Sequence, residues 1–412
     1  MGLKVEINFS NLPKNLIDTL RSSAQELGID RMAIVGGVIR DSLIDLDVSE
    51  NLQPPKDLDL VIEGSTIELA QMVQEKLGLT RVSISQENRA FQTIKMVVDG
   101  LFIDIARARA EKYSSPAENP KIEPTSIEED LHRRDFTINA IALDLNTYKL
   151  IDLHGGLDAL KKQELTFIHS HSVQEDPTRI IRGARYAARL NFHLSKESIH
   201  QIQATIKQWP WEWNPTHSEH LAPPALATRL RMELELLLEN EPWEQALEFL
   251  QNWGGFLLLD KRLHKDQKWK KRIALALDLG LTPLTALIAG SSNPLSLSKR
   301  LQLAGKQQNL LKELDELQSF FKDIYFSKKY INWKPSDWCD AIENKNWHSN
   351  SIALAICLEI PLWESLLRWF NDWRMIKSPL SARDLIKKGW EPGPGLNEEL
   401  KRLRRKKLNE NN

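Results

Sequence analysis

Only two cysteines, Cys339 and Cys357, occur in the 412 residues, and they form no CxxC pair. A disulfide framework and the common zinc patterns are therefore excluded, and a reducing compartment is expected. No apolar run approaches the ~18 to 20 residues that a membrane helix needs. The first residues, Met1-Gly-Leu-Lys-Val-Glu-Ile-Asn, contain no continuous apolar stretch of the kind that directs secretion, so a cytoplasmic protein with no membrane partner is expected. Neither sign of charge dominates. The net charge of -1 argues against nucleic-acid binding through overall basicity and leaves local segregation as the alternative. G-x-S-x-G, Walker A and G-x-G-x-x-G sequences are all missing.

At ~150 residues per domain the length allows two to three domains. All 13 tryptophans lie between Trp209 and Trp390, so the chain changes character near residue 200. Before residue ~160, short β-rich runs (Arg31 to Val35, Leu58 to Ile62, Arg81 to Ser85, Phe91 to Val98, Leu101 to Ala106, Ala140 to Leu145) alternate with helical patterns such as Thr66 to Leu77. After residue ~165 the apolar spacing turns to threes and fours, as in Leu226 to Leu238, Glu241 to Trp253 and Asn309 to Phe321. An α+β fold is expected, with a small mixed sheet and helices first and an all-α remainder. Linkers are expected at Trp209 to Pro224, Gly290 to Pro294 and Asn332 to Ser336. Arg107 to Pro124 has three prolines and no periodicity, and reads as a long functional or disordered loop.

Four segments could carry chemistry. In Val35-Gly36-Gly37-Val38-Ile39-Arg40-Asp41 a strand runs into two glycines and a helix, a layout that cradles phosphate with backbone N–H groups, a helix N-terminus and the Arg40 fork. For the glycines alone, plain turn chemistry is the more common explanation. In Asp57-Leu58-Asp59-Leu60, period-2 geometry puts two carboxylates on one strand face, as Mg²⁺ requires when its other ligands are waters and phosphates. A solvated strand face is the alternative, as it is for Asp104 among apolar residues. In Arg133-Arg134-Asp135-Phe136-Thr137-Ile138-Asn139 the polar groups can hold a ribose hydroxyl or a phosphate, or form a surface ion pair of little worth. In Asp176-Pro177-Thr178-Arg179, Asp176 reads locally as a helix cap. The following Arg182, Arg185 and Arg189 extend Arg179 into a stripe on one helical face, which favours a polyanionic ligand. A second basic cluster is Lys401 to Lys407, where six of seven residues are Lys or Arg.

Together and in this order, these segments resemble the class II tRNA nucleotidyltransferases, the family of bacterial CCA-adding enzymes, their CC-adding and A-adding relatives, and bacterial poly(A) polymerases. Leu380-Ser-Ala-Arg-Asp-Leu-Ile-Lys-Lys-Gly389 through Pro394 looks like that family's tail signature, and residues 205 to 378 match it poorly. The resemblance implies a polymerase-β-like nucleotidyltransferase head (1–160), a neck that recognises the base (161–225), a body (226–330) and a tRNA-binding tail (331–412). It implies catalysis by Asp57, Asp59 and Asp104, with Asp57 and Asp59 holding two Mg²⁺ that bridge the nucleotide phosphates and the primer 3′-hydroxyl. Gly36, Gly37 and Arg40 would hold the triphosphate. Arg134, Asp135 and Asn139 would contact ribose and phosphate, and Asp176, Arg179 and Arg182 would complete the nucleotide site, the first two by reading the base edge. RNA would meet Arg185, Arg189, Lys401, Arg402, Arg404 and Arg405. The expected partners are the acceptor stem and T arm of tRNA, ATP and CTP, and, for an A-adding specialist, a separate CC-adding enzyme.

Three departures from the family pattern bear on these expectations. About ten extra residues sit between Asp41 and Pro54. Asp152-Leu153-His154-Gly155-Gly156 stands where the family has Asp-Pro-Phe-Gly-Gly, which puts the hinge role of that segment in doubt. Gln86 to Phe91 replaces the poly(A) polymerases' Gly-Arg-Arg-Phe-like segment and weighs against poly(A) synthesis. The long Arg107 to Pro124 segment occupies the place of the loop that A-addition needs. A catalytically retired RNA-binding protein is the alternative from another class, opposed by the intact carboxylates.

Overall fold

The computed structural model describes residues 12–45, 57–208 and 223–410. All but the last two residues of the linker expected at Trp209 to Pro224, and most of the extra residues before Pro54, from 46 onward, lie outside them. The described residues fall into two compact units, the first holding 12–208 with Pro223–Arg229 and Glu239–Gly255, the second Leu230–Leu238 and the residues from Phe256 onward.

The first unit is built on a seven-stranded mixed sheet. In chain order it comprises α1 (Leu16–Glu26), β1 (Met32–Val35), α2 (Gly37–Asp45), β2 (Asp57–Ile62), α3 (Thr66–Leu77), β3 (Val82–Asn88), β4 (Thr93–Val98) and β5 (Leu101–Arg107). There follow β6 (Arg109–Lys112), β7 (Lys121–Pro124), α4 (Ile127–His132), β8 (Ile141–Asp144), β9 (Leu150–Asp152) and α5 (Gly156–Lys161). β10 (Glu164–Leu165), α6 (Ser172–Glu175), α7 (Thr178–Leu190), β11 (His193–Leu194), α8 (Lys196–Lys207), α9 (Pro224–Asn240) and α10 (Trp243–Asn252) complete the series, although α9 also supplies residues to the second unit.

The sheet order is β3-β4-β5-β2-β1-β8-β9, with β2 and β5 parallel and every other pair antiparallel. Alternation along β2 sends Leu58 and Leu60 into a core shared with Ile103 and Ile105 of β5, Leu16 and Leu20 of α1, and Leu69 and Val73 of α3. The intervening Asp57, Asp59 and Asp104 are thereby left on the opposite face. The helices start where short polar side chains satisfy their first N–H groups: Ser65 Oγ accepts from Glu68 N, Ser126 Oγ from Glu129 N and Ser195 Oγ from Ser198 N.

The segment expected as an irregular loop is a two-stranded ribbon, with Arg109 opposite Pro124 and Lys112 opposite Lys121. Its prolines fall at the tip (Pro116, Pro120) and at the strand end (Pro124), where no ladder N–H is needed, so they are compatible with a hairpin that shows no alternation.

Among the described residues, helices alone make up the elements of the second unit: α11 (Lys261–Lys265), α12 (Trp269–Asp278), α13 (Pro283–Ala289), α14 (Pro294–Arg300), α15 (Gly305–Phe326), α16 (Pro335–Glu343), α17 (Ser349–Cys357), α18 (Trp363–Asn371), α19 (Ala382–Lys387) and α20 (Pro394–Glu410), with short 3-10 turns. No described helix is long and apolar enough to cross a membrane. Both cysteines are buried and free.

Candidate active site

The site grows from the end of β1. Gly36 follows with φ 76°, a conformation that costs an L side chain ~1 to 2 kcal/mol, and a Cβ there would lie 3.3 Å from Asp59 Oδ2 and 3.8 Å from an Arg134 guanidinium nitrogen. Glycine thus brings a helix N-terminus, a carboxylate and a cation together. Parallel pairing of β2 with β5 sets Asp59 directly beside Asp104, whose Oδ2 accepts from Lys95 Nζ at 2.9 Å. Burial, opposed by Arg134 and reinforced by Asp57 and Asp104, pushes the Asp59 carboxyl up to about 6. Three acids on one face, one of them desolvated, form a site that a divalent cation would relieve. Among the described residues no group of three or more His, Cys, Asp or Glu forms a cage for a metal. Asp57 and Asp59 are two oxygen donors of the kind that suits a cation taking its remaining ligands from waters and phosphates.

Arg134 is aimed by the fully buried Asp130, whose Oδ2 accepts from Arg134 Nη2 at 3.1 Å and whose Oδ1 accepts from Arg133 Nη2 at 2.7 Å. Burial works against the Asp130 anion, but Arg134 and Arg133 hold its carboxyl below the usual range. The Nε of Arg134 is buried and has no hydrogen-bond partner among the described residues.

A second network links Arg40, Asn139, Asp135 and Arg182. Arg40 donates to Asp41 Oδ1 at 2.7 Å and to Asn139 Oδ1 at 2.8 Å, and Asn139 Nδ2 donates to Asp135 Oδ1 at 3.0 Å. Arg182 Nε donates to Asp135 Oδ2 at 2.8 Å, and Arg182 Nη2 donates to the Tyr186 hydroxyl at 3.2 Å. Burial by itself would raise Asp135, but Arg182 and the Asn139 hydrogen bond bring its carboxyl down to about 2. The guanidiniums of Arg40, Arg182 and Arg189 lie 5.4, 5.6 and 5.6 Å from the Tyr186 ring. Tyr186 was not legible as a site residue, since one tyrosine within an arginine-rich helix carries no local pattern. Phe136 anchors the segment by stacking on Phe167 at 4.9 Å.

The arginine stripe does lie on one helix, but it is not a free face. Arg179 is 5% exposed, and it donates to the carbonyls of Ser172 at 3.3 Å and Arg133 at 2.7 Å. Arg185, 8% exposed, donates to Glu241 Oε1 at 3.2 Å, and Arg189 donates to both oxygens of the same buried carboxylate. Arg185 and Arg189, expected to meet RNA, thus share one acid within the chain, and that acid comes from residue 241, beyond any local pattern. Asp176 is partly buried, and its Oδ1 accepts from Thr178 N at 3.1 Å and Thr178 Oγ1 at 2.7 Å, so the capping role is present.

Asp152 also acts as a cap, accepting from Gly156 N at 2.8 Å and Leu157 N at 2.9 Å. At Gly156 a Cβ would sit 2.4 Å from the Thr137 carbonyl, which ties the start of α5 to the 3-10 turn that carries Asn139.

In the second unit, the basic end of α20 is largely paired as well. Arg404 donates to Glu343 at 2.6 and 2.8 Å, Arg405 lies 3.1 Å from Asp337 and 3.0 Å from Asp340, and Arg402 donates to Glu399 at 2.7 Å. Lys401 is exposed, with no ion pair among the described residues. Arg402, Arg404 and Arg405, expected to meet RNA, thus each have an acid partner on α16 or on α20 itself, while the Arg402 and Arg405 side chains stay more than half exposed.

Among known proteins, residues 32–166 match the poly(A) polymerase head-domain family. The chain is 30% identical over 405 residues to the A-adding tRNA nucleotidyltransferase of Aquifex aeolicus, covering 92% of this chain and 45% of that protein. It is 35% identical over 235 residues to the CC-adding tRNA nucleotidyltransferase of Deinococcus radiodurans, covering 55% of each. The chain thus spans about half the length of these curated relatives. A solved structure described as a tRNA-processing enzyme with CTP superposes with a TM-score of 0.63 at 25% identity, over 95% of this chain and 100% of that one.

Proposed function

The chain belongs to the family of class II tRNA nucleotidyltransferases and bacterial poly(A) polymerases, and from that premise we propose that it is a template-independent RNA nucleotidyltransferase that adds C, A or both to the 3′ end of tRNA. The observation that carries this reading is the carboxylate face of β2 and β5 set against the Gly36 turn and Arg134.

In this reading Asp57 and Asp59 hold Mg²⁺, which when bound offsets phosphate charge and lowers the pKa of the attacking 3′-hydroxyl. The N-terminus of α2, at Gly37, and Arg134 offer a positive environment to the triphosphate, while Asp104 keeps Lys95 at the rim. Arg40, Asn139, Asp135 and Arg182 act as one hydrogen-bonded frame that fixes the sugar-binding side of the site. The net chemistry is attack of the tRNA 3′-oxygen on the nucleotide α-phosphorus, forming one phosphodiester and releasing pyrophosphate. Asp176 supplies an acceptor for the exocyclic amino group shared by A and C.

The head (1–160) would perform the chemistry, the neck (161–225) would recognise the base, and the body (226–330) and tail (331–412) would hold the acceptor stem and T arm. We place the protein in the cytoplasm, where this substrate is. Asp59→Ala tests the reading: nucleotide incorporation should be lost while tRNA binding is retained, and unchanged incorporation would refute the metal assignment.

A second reading, addition of A alone after a separate CC-adding enzyme, is favoured by the relation to the Aquifex aeolicus protein, which runs across 92% of this chain.

A further inference from the structure

Three segments distant in sequence meet at one guanidinium. Arg229, early in α9, donates Nη2 to the carbonyl of Ala117 at 2.7 Å and Nη1 to Asn119 Oδ1 at 3.0 Å, both between the strands of the β6–β7 hairpin. Its Nε is buried, has no hydrogen-bond partner among the described residues, and lies 3.8 Å from Asp176 Oδ1. The hairpin tip is also pinned from α6, because Ala117 N donates to the carbonyl of Glu175 at 3.1 Å.

Ala117 is fully buried with φ 61°, a left-handed conformation that costs ~1 to 2 kcal/mol and persists only where its surroundings enforce it. Here both of its backbone polar groups are held, the N–H by Glu175 and the carbonyl by Arg229. The residues that dock the tip are Asp176's chain neighbour and a guanidinium beside the Asp176 carboxylate. Hydrogen bonds from Thr178 already fall on Oδ1, which leaves Oδ2 as the oxygen that can meet a base.

We propose that Arg229 is a positioning residue for nucleotide selection: it ties the hairpin tip to Asp176, so the orientation of that carboxylate, and with it the base accepted, depends on the hairpin being docked. The inference rests on the nucleotidyltransferase reading above. Only a planar fork can reach a carbonyl, an amide oxygen and a carboxylate at once, and a lysine ammonium at this position reaches one of them. A well-oriented carboxylate accepts from the amino group of A or C and repels the carbonyl oxygen that G or U presents in its place.

The test is single-turnover incorporation of ATP, CTP, GTP and UTP into tRNA transcripts by the wild type, R229A, R229K, N119A and the R229A/N119A double variant. Preference for ATP and CTP over UTP should fall about tenfold in R229A, R229K should not restore it, and N119A should lose less in the same direction. The double variant should lose no more than R229A, since both substitutions cut one link. Limited proteolysis within residues 113–120 should be faster in R229A and N119A. Wild-type discrimination in R229A, or additive losses in the double variant, would overturn the proposal. Should R229A fail to fold, N119A decides alone, because it leaves Arg229 and Asp176 in place and unchanged discrimination refutes the link. A wild-type chain that incorporates no nucleotide would instead bring down the underlying reading, and this inference with it.

Discussion

Asp59 and Asp104 stand side by side across the parallel β2–β5 pair, and the burial of Asp59 beside a second acid opposes its ionisation. A carboxyl held at about 6 in the fold, against about 4 in the unfolded chain, binds its proton more tightly when folded. Stability should therefore fall as pH rises from about 4 to about 6 and stay reduced above that. Asp59→Asn should accordingly stabilise the metal-free protein at pH 7.5 by ~1 to 3 kcal/mol and change little at pH 4, as read by thermal unfolding. Adding Mg²⁺ should raise the Tm of the wild type more than that of the variant. Equal shifts would contradict a cation at this carboxylate.

At Gly36 both the left-handed backbone and the close approach of Asp59 disfavour a side chain. Gly36→Ala should cost ~1 to 2 kcal/mol of stability and displace the Asp59 carboxylate, lowering kcat more than nucleotide affinity. Steady-state kinetics with an unchanged kcat would show that the turn tolerates a methyl group.

Asp135, held at about 2, contributes stability that is complete above the ordinary carboxyl range and is lost as pH falls toward 2. Arg182→Ala removes its charged partner and should destabilise by at least ~2 kcal/mol, measured by urea unfolding at pH 7. The deficit should shrink below pH 4.

Glu241 takes both Arg185 and Arg189 from a fully buried position. Glu241→Gln should cost ~2 to 4 kcal/mol, because Arg185 keeps its charge in a desolvated place. Arg189→Ala should cost less, since that side chain is half exposed. Reversal of this order in denaturant midpoints would show that solvent, and not Glu241, balances Arg185.

Lys401 is exposed and has no ion-pair partner among the described residues, so a phosphate meets it without breaking a pair. Binding to tRNA should weaken steeply with salt, and Lys401→Ala should reduce the log–log slope by roughly one. Arg404→Ala should mainly lower stability.

Legibility in the sequence followed the range of the forces involved. Leu58 and Leu60 alternating with Asp57 and Asp59 announce β2 and its carboxylate face, because period-2 burial is local. Thr66 to Leu77 is readable as α3, since Ser65 and Gly78 bound it. The spacing of Arg179, Arg182, Arg185 and Arg189 gives a common helix face, but not their partners, since Asp135 and Glu241 reach them through folding. The β6–β7 ribbon is hidden in the sequence because its prolines mask alternation, and Arg229 carries no signal because its contacts lie 110 and 112 residues away.

Nucleotide addition to a tRNA 3′ end is measured most directly by offering CTP and ATP together, one of them labelled, with Mg²⁺ to three transcripts, ending at the discriminator base, in C and in CC. Growth of all three to CCA, or extension of the CC-ended transcript by a single A, is the predicted result and separates the two specificities. No extension of any transcript, under conditions where the chain binds tRNA, would contradict nucleotide addition by this chain.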